Sequence, residues 1–380
     1  MTGTPPGRRS GSPSGLFTTL ANDVRVVAAD MRGRGAERAM SRTLASLEAF
    51  YLTDEDRRRL DGMPAARRLL HRVLWLVKSL LLRLTPARRI MLAAALWLLL
   101  GPSFEVNAFN VSFRVPWIAG LLFLTLLMLE LKDKLAAREE LVAGRQVQLA
   151  LMPERSPTIP GWQVWLYTQP ANDVGGDLVD HLQIDDHRHA VALGDVAGKA
   201  LPAALLSVKL QATLRALAPQ FEALSDLGAA VNRILHRDGL PTRFASLVYL
   251  LLTADSGRVR VLNAGHMPPL VVRGEAIESM TRGSVVLGIM PDMTFPEQLV
   301  ELSPGDTLIV YSDGVSEAMN EAGDFFGDDR LLEVVRRTRG MAPEAIGAGI
   351  LSAVKAFIGD AVPSDDVSLM VLRPLAARSG

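Results

Sequence analysis

The chain has 380 residues, with 41 Lys and Arg balanced by 41 Asp and Glu, and it contains no cysteine. That length exceeds one ordinary domain, and the lack of thiols excludes a cysteine nucleophile, a disulfide framework and any Cys-ligated zinc. Charge is unevenly placed: residues 1–150 carry 22 basic against 13 acidic side chains and the remainder 19 against 28, so a basic first part precedes an acidic second.

In chain order, residues 1–20 read as a disordered N-terminus, rich in Pro, Gly, Ser and Arg over 1–15 and without the apolar core of a secretory signal. Residues 21–85 are expected to form a helical cytoplasmic region. It ends in a basic amphipathic helix over 69–84, where Leu69, Leu70, Val73, Leu74, Val77 and Leu80 share one half of the wheel and Arg68, His71, Arg72, Lys78 and Arg83 the other. Such a helix suits an anionic membrane surface, with packing on a protein core as the alternative.

Residues 90–104 and 115–129 are two uncharged apolar runs of 15 residues each. Both are shorter than the roughly 17–25 residues of a spanning helix, but Arg88, Arg89, Lys132 and Lys134 flank the pair and can extend it by snorkelling. The pattern predicts a two-helix transmembrane hairpin over 86–131, turning near Pro102, Asn107 and Asn110. Basic residues crowd the outer flanks, which places both ends in the cytoplasm and the chain at a cytoplasmic membrane. A helical hairpin buried in a soluble domain is the competing reading. Residues 132–153 predict a linker helix ended by Pro153. Leu135, Val142 and Leu149 recur every seven residues, compatible with a homodimer through that helix or with a solvated spacer.

Residues 154–375 alternate strand and helix signals without a regular βαβ rhythm. Strands are expected at 162–169, 177–184, 189–195, 244–253, 258–263, 270–273, 297–301, 307–312 and 367–372, with helices at 201–217, 224–235, 331–337 and 345–357. This is an α+β domain of packed antiparallel sheets with helices outside. Asp177, Asp195, Asp313 and the pair Asp365 and Asp366 each stand at the end of an apolar run beside glycine or another aspartate. Carboxylates at strand ends are what Mg²⁺ and Mn²⁺ require, because both take oxygen ligands, and several on one rim would make a two-metal hydrolase.

Read in order, Gln148-Leu-Ala-Leu-Met-Pro153, Pro170-Ala-Asn-Asp-Val-Gly-Gly-Asp177, Gly194-Asp-Val-Ala-Gly-Lys199, Asn263-Ala-Gly-His-Met-Pro-Pro269, Tyr311-Ser-Asp-Gly-Val-Ser-Glu-Ala318 and Asp365-Asp-Val-Ser368 resemble the SpoIIE/RsbU-type serine phosphatases of the PPM superfamily. The resemblance covers about residues 146–373. It implies a four-layer α-β-β-α sandwich with two Mn²⁺ or Mg²⁺ ions at one end. By that likeness Asp195 bridges both metals, the Val196 carbonyl and Asp313 serve the first, Asp177 the second, and Asp365 rather than Asp366 completes the set. The implied substrate is a phosphoserine or phosphothreonine on a signalling protein such as an anti-sigma-factor antagonist.

The sequence departs from the family pattern at Ala200, where a second glycine is usual, at Leu178-Val179, which replace an aromatic pair, and at Ser368, which replaces threonine. No presumed ligand is lost. A different class of function, a catalytically silent scaffold with this fold, is the alternative. The stretch 194–199 lacks the spacing and the Ser or Thr of a phosphate loop, so nucleotide binding is rejected, and no nucleic-acid partner is expected. His266 is a weak candidate for a general acid.

Overall fold

The computed structural model describes residues 84–100, 105–108, 111–238, 243–254 and 256–376, with a few single residues before 84. The disordered terminus, the helical region of 21–85 and most of the amphipathic helix over 69–84 lie outside the described residues. The chain divides into two units, Met1–Asp133 and Lys134–Gly380.

In the first unit, α1 (Pro86–Leu100) is followed by two short strands, β1 (Glu105–Ala108) and β2 (Val111–Arg114), paired antiparallel. One long helix, α2 (Val115–Leu151), then runs on beyond this unit. Arg88 donates to Glu130 and Asp133 at 2.7 and 2.5 Å, tying the start of α1 to α2. The expected transmembrane hairpin is not found. With 15 residues α1 is about 22 Å long at 1.5 Å per residue, against roughly 30 Å of bilayer hydrocarbon. The apolar start of α2 soon meets Glu130, Lys132, Asp133 and Lys134. Among the described residues no helix is long and apolar enough to cross a membrane.

The second unit has the expected layers. One sheet runs β10-β7-β6-β5-β4 and the other β3-β12-β11-β8-β9, every pairing antiparallel. In chain order the strands are β3 (Trp162–Gln169), β4 (Leu178–Gln183), β5 (Arg188–Val196), β6 (Ala245–Thr253), β7 (Arg258–Ala264), β8 (Leu270–Arg273), β9 (Ala276–Ser279), β10 (Glu297–Glu301), β11 (Thr307–Tyr311) and β12 (Val367–Pro374). Helices α3 (Ala200–Leu217) and α4 (Leu224–Asp238) follow β5; α5 (Asp313–Ser316), α6 (Gly327–Thr338) and α7 (Pro343–Ile358) follow β11.

The period of two along each strand explains why helices cover both outer faces. On β5, Val191 and Leu193 enter the core between the sheets, while Ala190 and Ala192 face the layer that holds Leu210, Leu214 and Val231 of α3 and α4. On β12, Met370 and Leu372 point into the same inter-sheet core, and Leu369 and Val371 face Leu331, Val335 and Ile350 of α6 and α7. Strands buried on both faces read as unbroken apolar runs, as in 247–252. The four-layer α-β-β-α sandwich implied by the family resemblance is the arrangement of this unit.

Candidate metal centre

The aspartates singled out in the sequence come to one rim of the sheet pair. Asp195 is the penultimate residue of β5, opposite Ser246 of β6, and lines a cleft with Gly176, Lys199, Asp365 and Asp366. Asp313 opens α5 directly after β11, and Asp177 directly precedes β4. Gly176 allows the approach: a Cβ there would lie 3.1 Å from the Val196 carbonyl oxygen and 3.8 Å from Asp195 Oδ1.

Asp177, Asp195 and Asp313 share too little solvent and too much like charge to ionise freely. Burial, then Asp313, Asp365 and Asp366, raise Asp195 to about 7. Burial foremost, then Asp195, push Asp177 well above the usual carboxylate range, with the Ser368 and Ser312 hydroxyls opposing. Asp313 is raised by burial and by Asp365. Asp177 is 6% exposed and its Oδ2 is buried without a hydrogen-bond partner. A buried, unpaired carboxylate oxygen among others is costly unless a cation or proton neutralises it. The all-oxygen donor set fits hard divalent cations, whose ligand shells water completes. The carboxylates do not form a closed cage by themselves, since among the described residues no three His, Asp or Glu side chains stand at ligating spacing. Asp177, Asp195, Asp313, Asp365 and the Val196 carbonyl are the groups that would hold such ions.

Asp365 and Asp366 differ in a way the sequence alone does not reveal. Asp365 is exposed and borders the cleft. Asp366 is buried and accepts from the backbone N–H groups of Ala171, Gly176 and Asp177 at 2.8, 2.6 and 3.2 Å. It anchors the loop that carries Asp177. Gly175 makes that anchor possible, because a Cβ there would lie 2.4 Å from Asp366 Oδ2. From the other side, Gln148 of α2 donates to the Gly175 carbonyl at 2.8 Å and accepts from its N–H at 3.2 Å, both within the second unit.

His266 spans the two sheets. Its Nε2 faces the Tyr311 carbonyl at 3.1 Å and its Nδ1 the Ser246 hydroxyl at 2.7 Å. The carbonyl places the proton on Nε2, so Ser246 donates to Nδ1. Burial lowers its pKa to about 4, so at neutral pH it is an uncharged strut whose one N–H proton is held by the Tyr311 carbonyl. Asp180, missed from sequence, is buried at the end of a bidentate Arg215 pair at 2.6 and 2.9 Å, with Gln211 at 3.0 Å. An isolated Asp in a strand carries no sequence signal for such a pair.

Ala200 has φ +60, the left-handed region that L-residues enter at a cost of roughly 1–2 kcal/mol. Its departure from the usual glycine therefore leaves backbone strain at the start of α3. Ala200→Gly is expected to raise the unfolding free energy by about 1 kcal/mol, net of glycine's greater freedom in the unfolded chain. Urea denaturation of both proteins measures it, and an equal or lower midpoint would mean the strain is not there.

Two antiparallel five-stranded sheets between helical layers, with a carboxylate rim at one end, define the PP2C-like class of phosphatase folds. The SiaA-PP2C domain of Pseudomonas aeruginosa has the same fold, with a TM-score of 0.56 at 19% identity, covering 63% of this chain and 98% of that domain. Residues 185–374, half of the chain, match the family model described as Stage II sporulation protein E (SpoIIE), and the chain belongs to this family. It is 26% identical over 276 residues to Protein IcfG of Synechocystis sp., covering 65% of this chain and 43% of that protein. It is 24% identical over 238 residues to Phosphoserine phosphatase RsbU of Bacillus subtilis, covering 62% of this chain and 70% of that one. The chain thus spans less than half the length of Protein IcfG.

Proposed function

We propose that the chain is a metal-dependent protein serine/threonine phosphatase that acts on a phosphorylated bacterial signalling protein such as an anti-sigma-factor antagonist. The observation that carries this reading is the orphaned Asp177 Oδ2 beside Asp195, whose carboxyl is held near pKa 7. That electrostatic debt suits a cation site better than a structural one. Two Mn²⁺ or Mg²⁺ ions there would supply charge neutralisation and Lewis acidity for attack of water on phosphorus. The protein's own contribution is positional: Asp366 fixes the Asp177 loop, Gly176 lets backbone approach, and β5 and β11 present Asp195 and Asp313. The name of the Bacillus subtilis relative supports a phosphoserine substrate.

The reading includes attachment to the inner face of the bacterial membrane, with the phosphatase domain in the cytoplasm. Ile90, Trp97, Leu100, Trp117 and Leu121 are each at least 63% exposed, apolar surface suited to lipid. Leu135, Val142 and Leu149 on α2 are also exposed, which supports a homodimer through that helix, checked by the mass of the detergent-solubilised chain.

Fractionation of cells expressing the full chain, followed by p-nitrophenyl phosphate hydrolysis with and without Mn²⁺, tests both halves of the reading. Mn²⁺-dependent activity in the membrane pellet is expected. A folded chain that stays inactive at all Mn²⁺ concentrations would favour the silent scaffold, and activity found wholly in the supernatant would remove the membrane.

A further inference from the structure

Arg243 lies just before β6, where the β5–β6 ladder continues past Val196 through the Ala197 N–H to the Phe244 carbonyl at 2.9 Å. Its Nη1 donates to the Ala197 carbonyl at 3.0 Å. The guanidinium lies over Gly198, in space that only glycine leaves open: a Cβ there would meet Nη1 at 1.5 Å and Cζ at 2.7 Å, and φ is +122. Gly198 in turn lines the cleft that holds Asp195 and Asp365.

A guanidinium free to reach a carboxylate is expected to collapse into a bidentate ion pair. Arg243 does not: among the described residues no ion pair or second hydrogen bond engages it, and the Ala197 carbonyl takes one of its five donors. It is half-buried, which limits its orientation, and it lies against Gly198, which lines the cleft. The other cation on the rim, Lys199, donates to the Ser364 carbonyl at 3.2 Å and is only a point charge. An acidic rim repels a phosphomonoester dianion, and a planar fork fixed at its edge offsets that repulsion with geometry that matches two phosphoryl oxygens.

We propose that Arg243, held over Gly198, anchors the phosphoryl group of the substrate at the edge of the carboxylate rim. The same fork receives a phosphoserine side chain before hydrolysis and inorganic phosphate after it. This rests on the phosphatase reading and adds to it the residue that holds the substrate. The competing role is purely positional, with Arg243 pinning residues 195–199 through Ala197.

Arg243→Gln separates the two roles, because an amide still donates to the Ala197 carbonyl but carries no charge. The full chain in Mn²⁺ is assayed for kcat and KM with p-nitrophenyl phosphate and a phosphoserine peptide. Inorganic phosphate binding is measured separately by titration calorimetry. KM for both substrates and the dissociation constant for phosphate are expected to rise about ten- to a hundredfold in Arg243→Gln, the scale of one charge-assisted hydrogen bond. Arg243→Lys should recover part of the loss, while the Mn²⁺ dependence and thermal midpoint stay unchanged. Wild-type phosphate affinity in Arg243→Gln, or a defect that higher Mn²⁺ fully corrects, would overturn the anchor. A wild-type chain that does not hydrolyse yet binds phosphate through Arg243 would sink the phosphatase reading alone; a hydrolysing chain whose phosphate affinity ignores Arg243 would sink the anchor alone. A chain that binds no phosphate at all also overturns the anchor.

Discussion

Asp195→Asn is expected to lower phosphate-ester hydrolysis at least about a hundredfold, on the scale that metal-activated nucleophiles contribute. The substitution keeps size and one acceptor oxygen but removes the charge that, in the proposed function, would face two cations. Asp177→Asn and Asp313→Asn each remove one charge presumed to serve a single ion, so raised Mn²⁺ should rescue them further than it rescues Asp195→Asn. The same change has an opposite effect on the metal-free fold. Asp195 has a folded pKa of about 7 against 3.8 for the ordinary group, so the folded state binds more protons between those values and stability falls as pH rises through that window. Asn cannot titrate. Without divalent cations at pH 8, Asp195→Asn should therefore be more stable than wild type, on the order of a few kcal/mol. The measurements are rate against Mn²⁺ concentration, and thermal midpoint against pH with and without EDTA. Near-wild-type turnover in a folded Asp195→Asn protein would end the assignment of Asp195 as a shared ligand.

Asp366→Ala carries the second large effect, and it acts through the backbone. Three N–H groups, those of Ala171, Gly176 and Asp177, lose their carboxylate acceptor, and those of Gly176 and Asp177 are buried. Hydrogen bonds to a charged group contribute about 1.5–3 kcal/mol each, and relief of like-charge repulsion returns part of that sum. A net loss of about 3 kcal/mol is expected in urea denaturation at saturating Mn²⁺, together with loss of activity as the Asp177 loop drifts. Asp366→Asn should fall between, since its amide retains one acceptor oxygen. Asp365→Ala is the contrast: an exposed carboxylate bordering the cleft, whose removal should weaken Mn²⁺ dependence with little change in stability. Equal stability of Asp366→Ala and Asp365→Ala would show that the two neighbours do not divide the work as described.

The strands and helices of the second unit were legible because their signals are local. Burial of β5, β6 and β12 on both faces produces long apolar runs, and Pro, Gly and Asp clusters punctuate them, so most boundaries fall within two residues of expectation. The short strand β9 was missed, since Ala-Ile-Glu-Ser pairs with β8 at a sheet edge and has no alternation to show. The first unit misled for a related reason. An apolar run of 15 residues looks alike whether it spans lipid or ends early, and here α1 ends at Leu100 while β1 begins at Glu105.

By itself the sequence determined the order of strands and helices, the absence of thiol chemistry and which aspartates sit at strand ends, because period and composition are properties of neighbours along the chain. Only the tertiary structure decided what each acid does. Asp365 and Asp366 are adjacent and chemically identical and both border the cleft, yet one is exposed there and the other is buried, holding three N–H groups from a loop some 190 residues away. Arg243 gained its position from Gly198, 45 residues earlier, through a strand pairing that no local pattern records. The raised pKa of Asp195 comes first from burial and then from charges on Asp313, Asp365 and Asp366, all brought there by the folding of two sheets onto one another. Burial and like-charge proximity are sums over the folded molecule, and the linear order of residues does not contain them.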